Sequence, residues 1–141
     1  MIRDVEATDL PAIAKMLKGL GYNTRLDALE KISASMQIDD EYKVLIDVED
    51  DHIVGLIALH TISIFHRAGK IGRITSFVVD ESYRGNRAGK MLLEASDEYF
   101  KTSGCTSCEA AGGMINSHLR KQFLDSGYKS LNQHLTKNLR T

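Results

Sequence analysis

A chain of 141 residues, 43% apolar and 26% charged, is long enough to bury a core and has the balance of one globular domain, expected to span residues 1–141. Its formal net charge of −1 gives no overall electrostatic footprint for a nucleic acid. The opening MIRDVEATDL lacks the apolar core of a secretory signal, and no apolar run approaches the ~18 residues of a membrane span. The expectation is a cytoplasmic protein that engages neither nucleic acid nor membrane.

Along the chain, a short opening strand precedes Pro11, which stands at the start of a first helical pattern, where proline is tolerated; Thr8 or Asp9 can cap that helix. Leu10, Ile13, Leu17 and Leu20 recur at helical spacing, and Gly19 and Gly21 punctuate the end. A second helix is expected at about 25–37, with Leu26, Leu29, Ile32 or Ser33, and Met36 on one face. The period then changes. Residues 42–48 and 53–64 read as strands joined by the polar turn Glu49-Asp50-Asp51-His52, hence a hairpin. A turn at 67–70 leads to a strand at 71–80. The next helix runs to about Ser103 with Ala88, Met91, Leu92, Ala95 and Tyr99 as its apolar stripe, and Gly104 stops it. Residues 105–111 suit a buried strand, and 116–126 a helix with Leu119 and Phe123 on one face and Gly127 at its end. Residues 128–139 are expected to supply a final strand or two.

Strand, crossover helix and strand at 74–80, 88–103 and 105–111 imply a parallel pair, with antiparallel hairpins around it. The fold class is therefore α/β, a mixed, mostly antiparallel sheet flanked by about four helices. Cys105 and Cys108 lie on one strand, and residues three apart there point to opposite faces. No second cysteine pair completes a zinc site, so the two thiols read as small fillers and no metal is expected.

The richest stretch is the junction between strand 71–80 and the helix behind it. Arg84, Gly85, Asn86, Arg87, Ala88, Gly89 and Lys90 form a basic, glycine-punctuated loop running into a helix N-terminus. Such a junction aims unpaired backbone N–H groups and the positive end of a helix dipole at one spot, which favours a phosphate or pyrophosphate. For the loop alone, simple helix-entry turn chemistry at Gly85 and Gly89 explains the glycines equally well. The G-x-x-x-x-G-K-[ST] nucleotide loop is absent.

The loop Arg84-Gly85-Asn86-Arg87-Ala88-Gly89 is similar to the Q/R-x-x-G-x-G/A motif of the GNAT superfamily of acetyl-CoA-dependent N-acetyltransferases, with Arg87 where the family places its central glycine. Asn116, seven residues before Phe123, and the pair Gly127-Tyr128 resemble a second family frame, with Phe123 at its tyrosine position. The hairpin Asp51-His52-Ile53-Val54-Gly55 resembles a common third-strand opening. The resemblance spans essentially the whole chain, and its layout is most similar to small-amine acetyltransferases.

The resemblance implies acetyl-CoA as cosubstrate and a small-molecule amine as acceptor. It places the pyrophosphate on the backbone of residues 84–90, the pantetheine arm along Phe77, Val78 and Val79, the carbonyl-polarising N–H at Val78 or Phe77, and the far end of the arm at Asn116. A homodimer is possible by the same resemblance. Ser76 stands where many relatives carry a glutamate base, and Phe123 where they carry a tyrosine acid. Ser76 can hold a water, and Glu109 on the neighbouring strand can act as base or bind the substrate cation, or else be a solvated or salt-bridged strand residue. His66 and His60 lie near where relatives bind the acceptor, or are surface or core-filling histidines, and Asp27, Glu30 and 39–41 can attract a cationic amine or else form a solvated helix face. Arg67, Lys70 and Arg73 can instead attract an anionic group on the acceptor. Tyr128 reads as packing. The competing readings are a non-catalytic acyl-CoA-binding module and a protein N-terminal or lysine acetyltransferase.

Overall fold

The stretches of strand period come together side by side. In the computed structural model, which describes residues 1–83, 87–111, 117–131 and 134–140, β1 (Ile2–Asp4), β2 (Tyr42–Glu49), β3 (His52–Ser63), β4 (Lys70–Val79) and β5 (Cys105–Ala110) form one sheet in the order β1-β2-β3-β4-β5. Neighbours are antiparallel except β4 and β5, which are parallel. That pair is joined by α3 (Arg87–Thr102), the crossover that a parallel pair requires. With α1 (Leu10–Gly19), α2 (Leu26–Gln37) and α4 (Ser117–Asp125), this is the expected mixed α/β architecture.

Two helix layers sandwich the sheet, because each face is apolar where a helix covers it. Leu10, Ile13 and Leu17 of α1 pack on Ile46, Leu56 and Val78. On the other face Leu92, Leu93 and Phe100 of α3, with Leu119 and Phe123 of α4, pack on Ile57, Leu59, Ile74, Phe77 and Val79. Each such buried side chain contributes roughly 1.5–3 kcal/mol relative to exposure. The buried face of α3 is Ala88, Gly89, Leu92, Leu93, Ser96 and Phe100; of the expected stripe, Ala88 and Leu92 are buried there and Ala95 and Tyr99 pack half-buried against the same core, so the face is wider than expected and extends to Leu93 and Phe100. Phe100 fits because Gly72 has no side chain: a Cβ there would stand 2.4 Å from the ring.

Turn chemistry explains the element ends. Asp50 and Asp51 both have positive φ (48° and 64°), the two-residue hairpin geometry that matches strand twist. Gly104 and Gly127, at φ of 84° and 97°, stop α3 and α4 in the left-handed conformation that only glycine adopts without penalty.

Three expectations are corrected, and α2, which forms over its expected span, packs only shallowly. Residues 128–131 and 134–140 form no strand, and Leu131, Leu135 and Leu139 are exposed, so their apolar surface does not offset the entropy of ordering the chain. Asp9 does not cap α1 with its side chain, because its carboxylate is held instead by Arg3 and the Glu6 N–H. α2 buries none of its residues; its apolar face reaches the α1 core only partly, through Leu29. Cys105 and Cys108 both pack against the α3-side core, because the β4–β5 register shifts between Lys70 and Ile71, skipping Thr106. A bulge of one residue reverses the alternation. Both thiols are free, and burial pushes both upward in pKa, away from a reactive thiolate.

Candidate active site at an opened seam between β4 and β5

β4 and β5 part company. Their ladder runs from Lys70↔Cys105 to Ile74↔Ala110 and ends there, while β4 continues to Val79. On its other side β4 remains paired with β3 up to Gly55↔Val79. The Asp80 N–H donates to the Val54 carbonyl (2.7 Å). Amide direction alternates along an antiparallel strand, so the N–H groups of Val78 and Ser76 also face β3. Those of Phe77 and Val79 face the opened seam, where no strand pairs with them among the described residues. Of the two candidates for a polarising N–H, the seam therefore receives Phe77 and not Val78.

Side chains along this segment are anchored from both layers. Phe77 and Val79 are buried on the α3 side and Val78 on the α1 side, so the strand backbone is held between two cores. The Phe77 ring meets Phe123 edge-on (centroids 5.5 Å apart), and Phe123 meets Tyr128 in the same way (5.0 Å). Such aromatic pairs add about 0.5–1.5 kcal/mol beyond area burial. The Cys108 thiol donates to the Tyr128 hydroxyl (3.1 Å). Burial first, and the thiol next, push the Tyr128 phenol well above its ordinary range. Tyr128 thus packs on Phe123 with its hydroxyl against the Cys108 thiol.

The seam leads to the N-terminus of α3. The first amides of a helix lack intrahelical acceptors. The first turn of α3 carries no acidic residue, and Arg87 and Lys90 are exposed on it while Ala88 and Gly89 are buried. Gly89 lies against α4, where an added Cβ would stand 2.0 Å from Gln122 Oε1, so its missing side chain serves helix packing. Arg84, Gly85, Asn86 and Asn116 lie outside the described residues.

A cavity of about 1050 Å³ adjoins the end of β4. Phe77, Val78 and Val79 form part of its wall, with Met16 of α1, Leu20 just after it and Leu119 of α4 among the rest. Tyr83, unforeseen from sequence, lines it too, and its hydroxyl donates to the Asp50 carboxylate in the hairpin turn. An acidic turn facing a tyrosine after β4 was the only sequence signal for this contact.

The remaining candidates fall in different places. Ser76 is exposed on β4, one residue before the seam segment. Glu109 Oε1 accepts from Arg73 Nε (2.9 Å) and Nη2 (2.6 Å), so its carboxylate is salt-bridged as well as near the seam. His66 is exposed in the turn between β3 and β4, at the opposite end of β4 from Val79. Asp27 is exposed in the first turn of α2 and pairs with Arg25 (2.9 Å). Neither His66 nor Asp27 is in the cavity wall. His60 stacks on Tyr42 (4.1 Å between centroids) with its Nε2 3.9 Å from Glu41.

This arrangement, an interrupted parallel pair beside a basic helix start, has counterparts. The sequence profile of the Acetyltransferase (GNAT) family matches residues 10–123. The chain belongs to that family and is an acyltransferase; members of the family use acetyl-CoA as cosubstrate. Over 106 residues it is 27% identical to an aminoalkylphosphonate N-acetyltransferase of Salmonella typhimurium, covering 75% of this chain and 69% of that protein. Among solved structures, a GNAT family acetyltransferase of Staphylococcus aureus superposes with a TM-score of 0.78 at 24% identity, covering 99% of this chain and 98% of that one. A glucosamine-6-phosphate N-acetyltransferase of Arabidopsis thaliana superposes with 0.83 at 20%, again over 99% and 98%.

Proposed function

We propose that this protein moves an acetyl group from acetyl-CoA to the primary amine of a small molecule, by direct attack in a ternary complex. The observation that carries the reading is the opened edge of β4, with Phe77 and Val79 amides turned into the seam beside a helix start free of acidic residues. The pantetheine arm carries amides and is suited to complete the interrupted ladder at that edge. The backbone of residues 84–90, with the cations of Arg84, Arg87 and Lys90, is suited to the pyrophosphate. Two relatives are named for small amines, an aminoalkylphosphonate and glucosamine 6-phosphate, which supports an acceptor of that size.

The chemistry needs a polarised carbonyl, a neutral amine and a departing thiolate. The Phe77 N–H is placed to polarise the thioester carbonyl. Glu109 takes the amine proton directly or through a water held by Ser76. The lone pair of the nitrogen attacks the carbonyl carbon, the C–S bond breaks, and solvent protonates the thiolate, since Phe123 has no proton to give. Positioning and backbone polarisation carry most of the acceleration.

Calorimetric titration with acetyl-CoA, with ATP as control, followed by an amine panel, tests this. Micromolar binding of acetyl-CoA alone together with acetyl transfer is the expected result. Absence of binding would remove the pyrophosphate site. Binding without transfer to any amine would leave a non-catalytic acyl-CoA-binding module.

A further inference from the structure

On the sheet face opposite α3, four strands set four polar side chains in a row. Tyr42 pairs in register with His60, His60 with Arg73, and Arg73 with Glu109. Their shared face follows from alternation. Tyr42 is in phase with Ile46 and His60 with Leu56, both in the α1-side core, whereas Cys108 and Ala110, flanking Glu109, pack toward α3. α1 covers this face only at its other end, over Ile46, Leu56 and Val78. Arg73 and Glu109 each keep 49% of their side-chain surface exposed.

The pair at the end of the row is incomplete in a particular way. Arg73 Nε and Nη2 both donate to a single oxygen, Oε1 of Glu109. Arg73 Nη1 and Glu109 Oε2 have no hydrogen-bond partner among the described residues. One rung further, Ile74↔Ala110, the β4–β5 ladder ends and the seam opens. The register of β4 against β3 skips Thr75, so Arg73 and Ser76 share a face although they are three residues apart. Arg73 lies three rungs, about 10 Å, before Phe77 along the strand.

We propose that the Arg73–Glu109 pair reads the acceptor, and that the acceptor is a small amine that also bears an anionic group, a carboxylate or a phosphorus oxyacid, within about 10 Å of its nitrogen. This rests on the acetyltransferase reading of the same seam. The anion takes the free edge of the Arg73 guanidinium, the geometry in which arginine binds oxyanions bidentately. The ammonium meets Glu109 Oε2. Because the ligand brings both charges, each partner of the pair gains a counter-charge and none is stranded. A plain alkylammonium has to draw Glu109 from Arg73 with nothing to replace it. In the reaction the ammonium gives one proton to Glu109, and the amine forms the C–N bond as the C–S bond breaks with its electron pair going to sulfur. The second nitrogen proton goes to the thiolate by way of solvent, and Glu109 returns its proton to water.

The test compares three acceptors, 2-aminoethylphosphonate, 3-aminopropanoate and n-propylamine, on the wild type, Arg73→Gln and Arg73→Lys. The wild type is expected to prefer one or both anionic amines over n-propylamine by roughly ten-fold or more in kcat/KM, the worth of one hydrogen bond to a charged group. Arg73→Gln should raise KM for the preferred anionic amine by roughly the same factor, while KM for acetyl-CoA stays within about two-fold and KM for n-propylamine falls, because its ammonium no longer competes with Arg73 for Glu109; Arg73→Lys should recover part of the loss. Which anion is preferred separates the two oxyacid classes. An equal loss on all three amines would make the pair merely structural and overturn the proposal. Acetyl-CoA binding by the wild type without transfer to either anionic amine would overturn it too. Failure of the acetyltransferase reading shows separately, as absent acetyl-CoA binding by the wild type.

Discussion

Asp9 shows how one carboxylate joins the N-terminal strand to the first helix. Arg3 Nη1 and Nη2 donate to its two oxygens at 2.8 Å each, and the Glu6 N–H donates to Oδ2 at 2.8 Å. The Arg3 guanidinium foremost, with the Glu6 amide adding to it against an opposing desolvation, holds the Asp9 carboxyl below its ordinary range. A group depressed in the folded state contributes stability that is fully present above its unfolded value of about 3.9 and is lost as pH falls through the folded value. Asp9→Asn should therefore lower the melting temperature at pH 7, and the gap to the wild type should close as melts are taken below about pH 4. A gap that stays constant down to pH 2 would mean that the ion pair contributes nothing.

At the scale of elements, β4 and α3 fit closely through a ring over a glycine. The Phe100 ring occupies the space over Gly72, and Phe100 is 3% exposed, so the ring has nowhere to retreat. Gly72→Ala should cost about 1–3 kcal/mol by overpacking, read as a lower urea midpoint at unchanged m-value. Phe100→Leu in that background should cost less than it does alone, since the two sites share one space. An additive double mutant would refute the packing account. Helices and strands themselves were legible in the sequence because Leu10, Ile13 and Leu17, or Gly104 and Gly127, mark period and end plainly. The bulges were not. Thr75 and Thr106 are at home in regular strands, yet skipping them decides that Cys105 and Cys108 share a face and that Arg73 joins Ser76. The tail was misread because residue type does not say whether a neighbouring strand is there to cover Leu131, Leu135 and Leu139, which stay exposed.

For the molecule as a whole, the basic helix entry was legible from residue type, but the direction of each amide depends on pairing partners far along the chain. Only the β3–β4 register separates Phe77 from Val78. Acetyl-CoA should slow hydrogen exchange at the Phe77 and Val79 amides, whereas Val78 should exchange slowly with or without it, as NMR-detected exchange would report. Protection gained at Val78 instead would shift the register by one. Likewise Glu109 was legible as a carboxylate near the site, while its capture by Arg73 needed β5 laid beside β4.

The linear strand order has a kinetic side. β2, β3 and β4 meander with turns between successive neighbours, so their pairing closes only short loops. β1 reaches β2 across both α1 and α2, and β5 reaches β4 only after α3. Longer closures cost more chain entropy and come later. The meander is therefore expected to serve as nucleus, with the two rims docking onto it afterwards. The seam lies beside β5, one of those rims. Acetyl-CoA bound there would grip contacts that the rate-limiting step has not yet made, and should slow unfolding while leaving the refolding rate unchanged. In a chevron plot only the unfolding arm would move, and a shift of the refolding arm would place β5 in the nucleus.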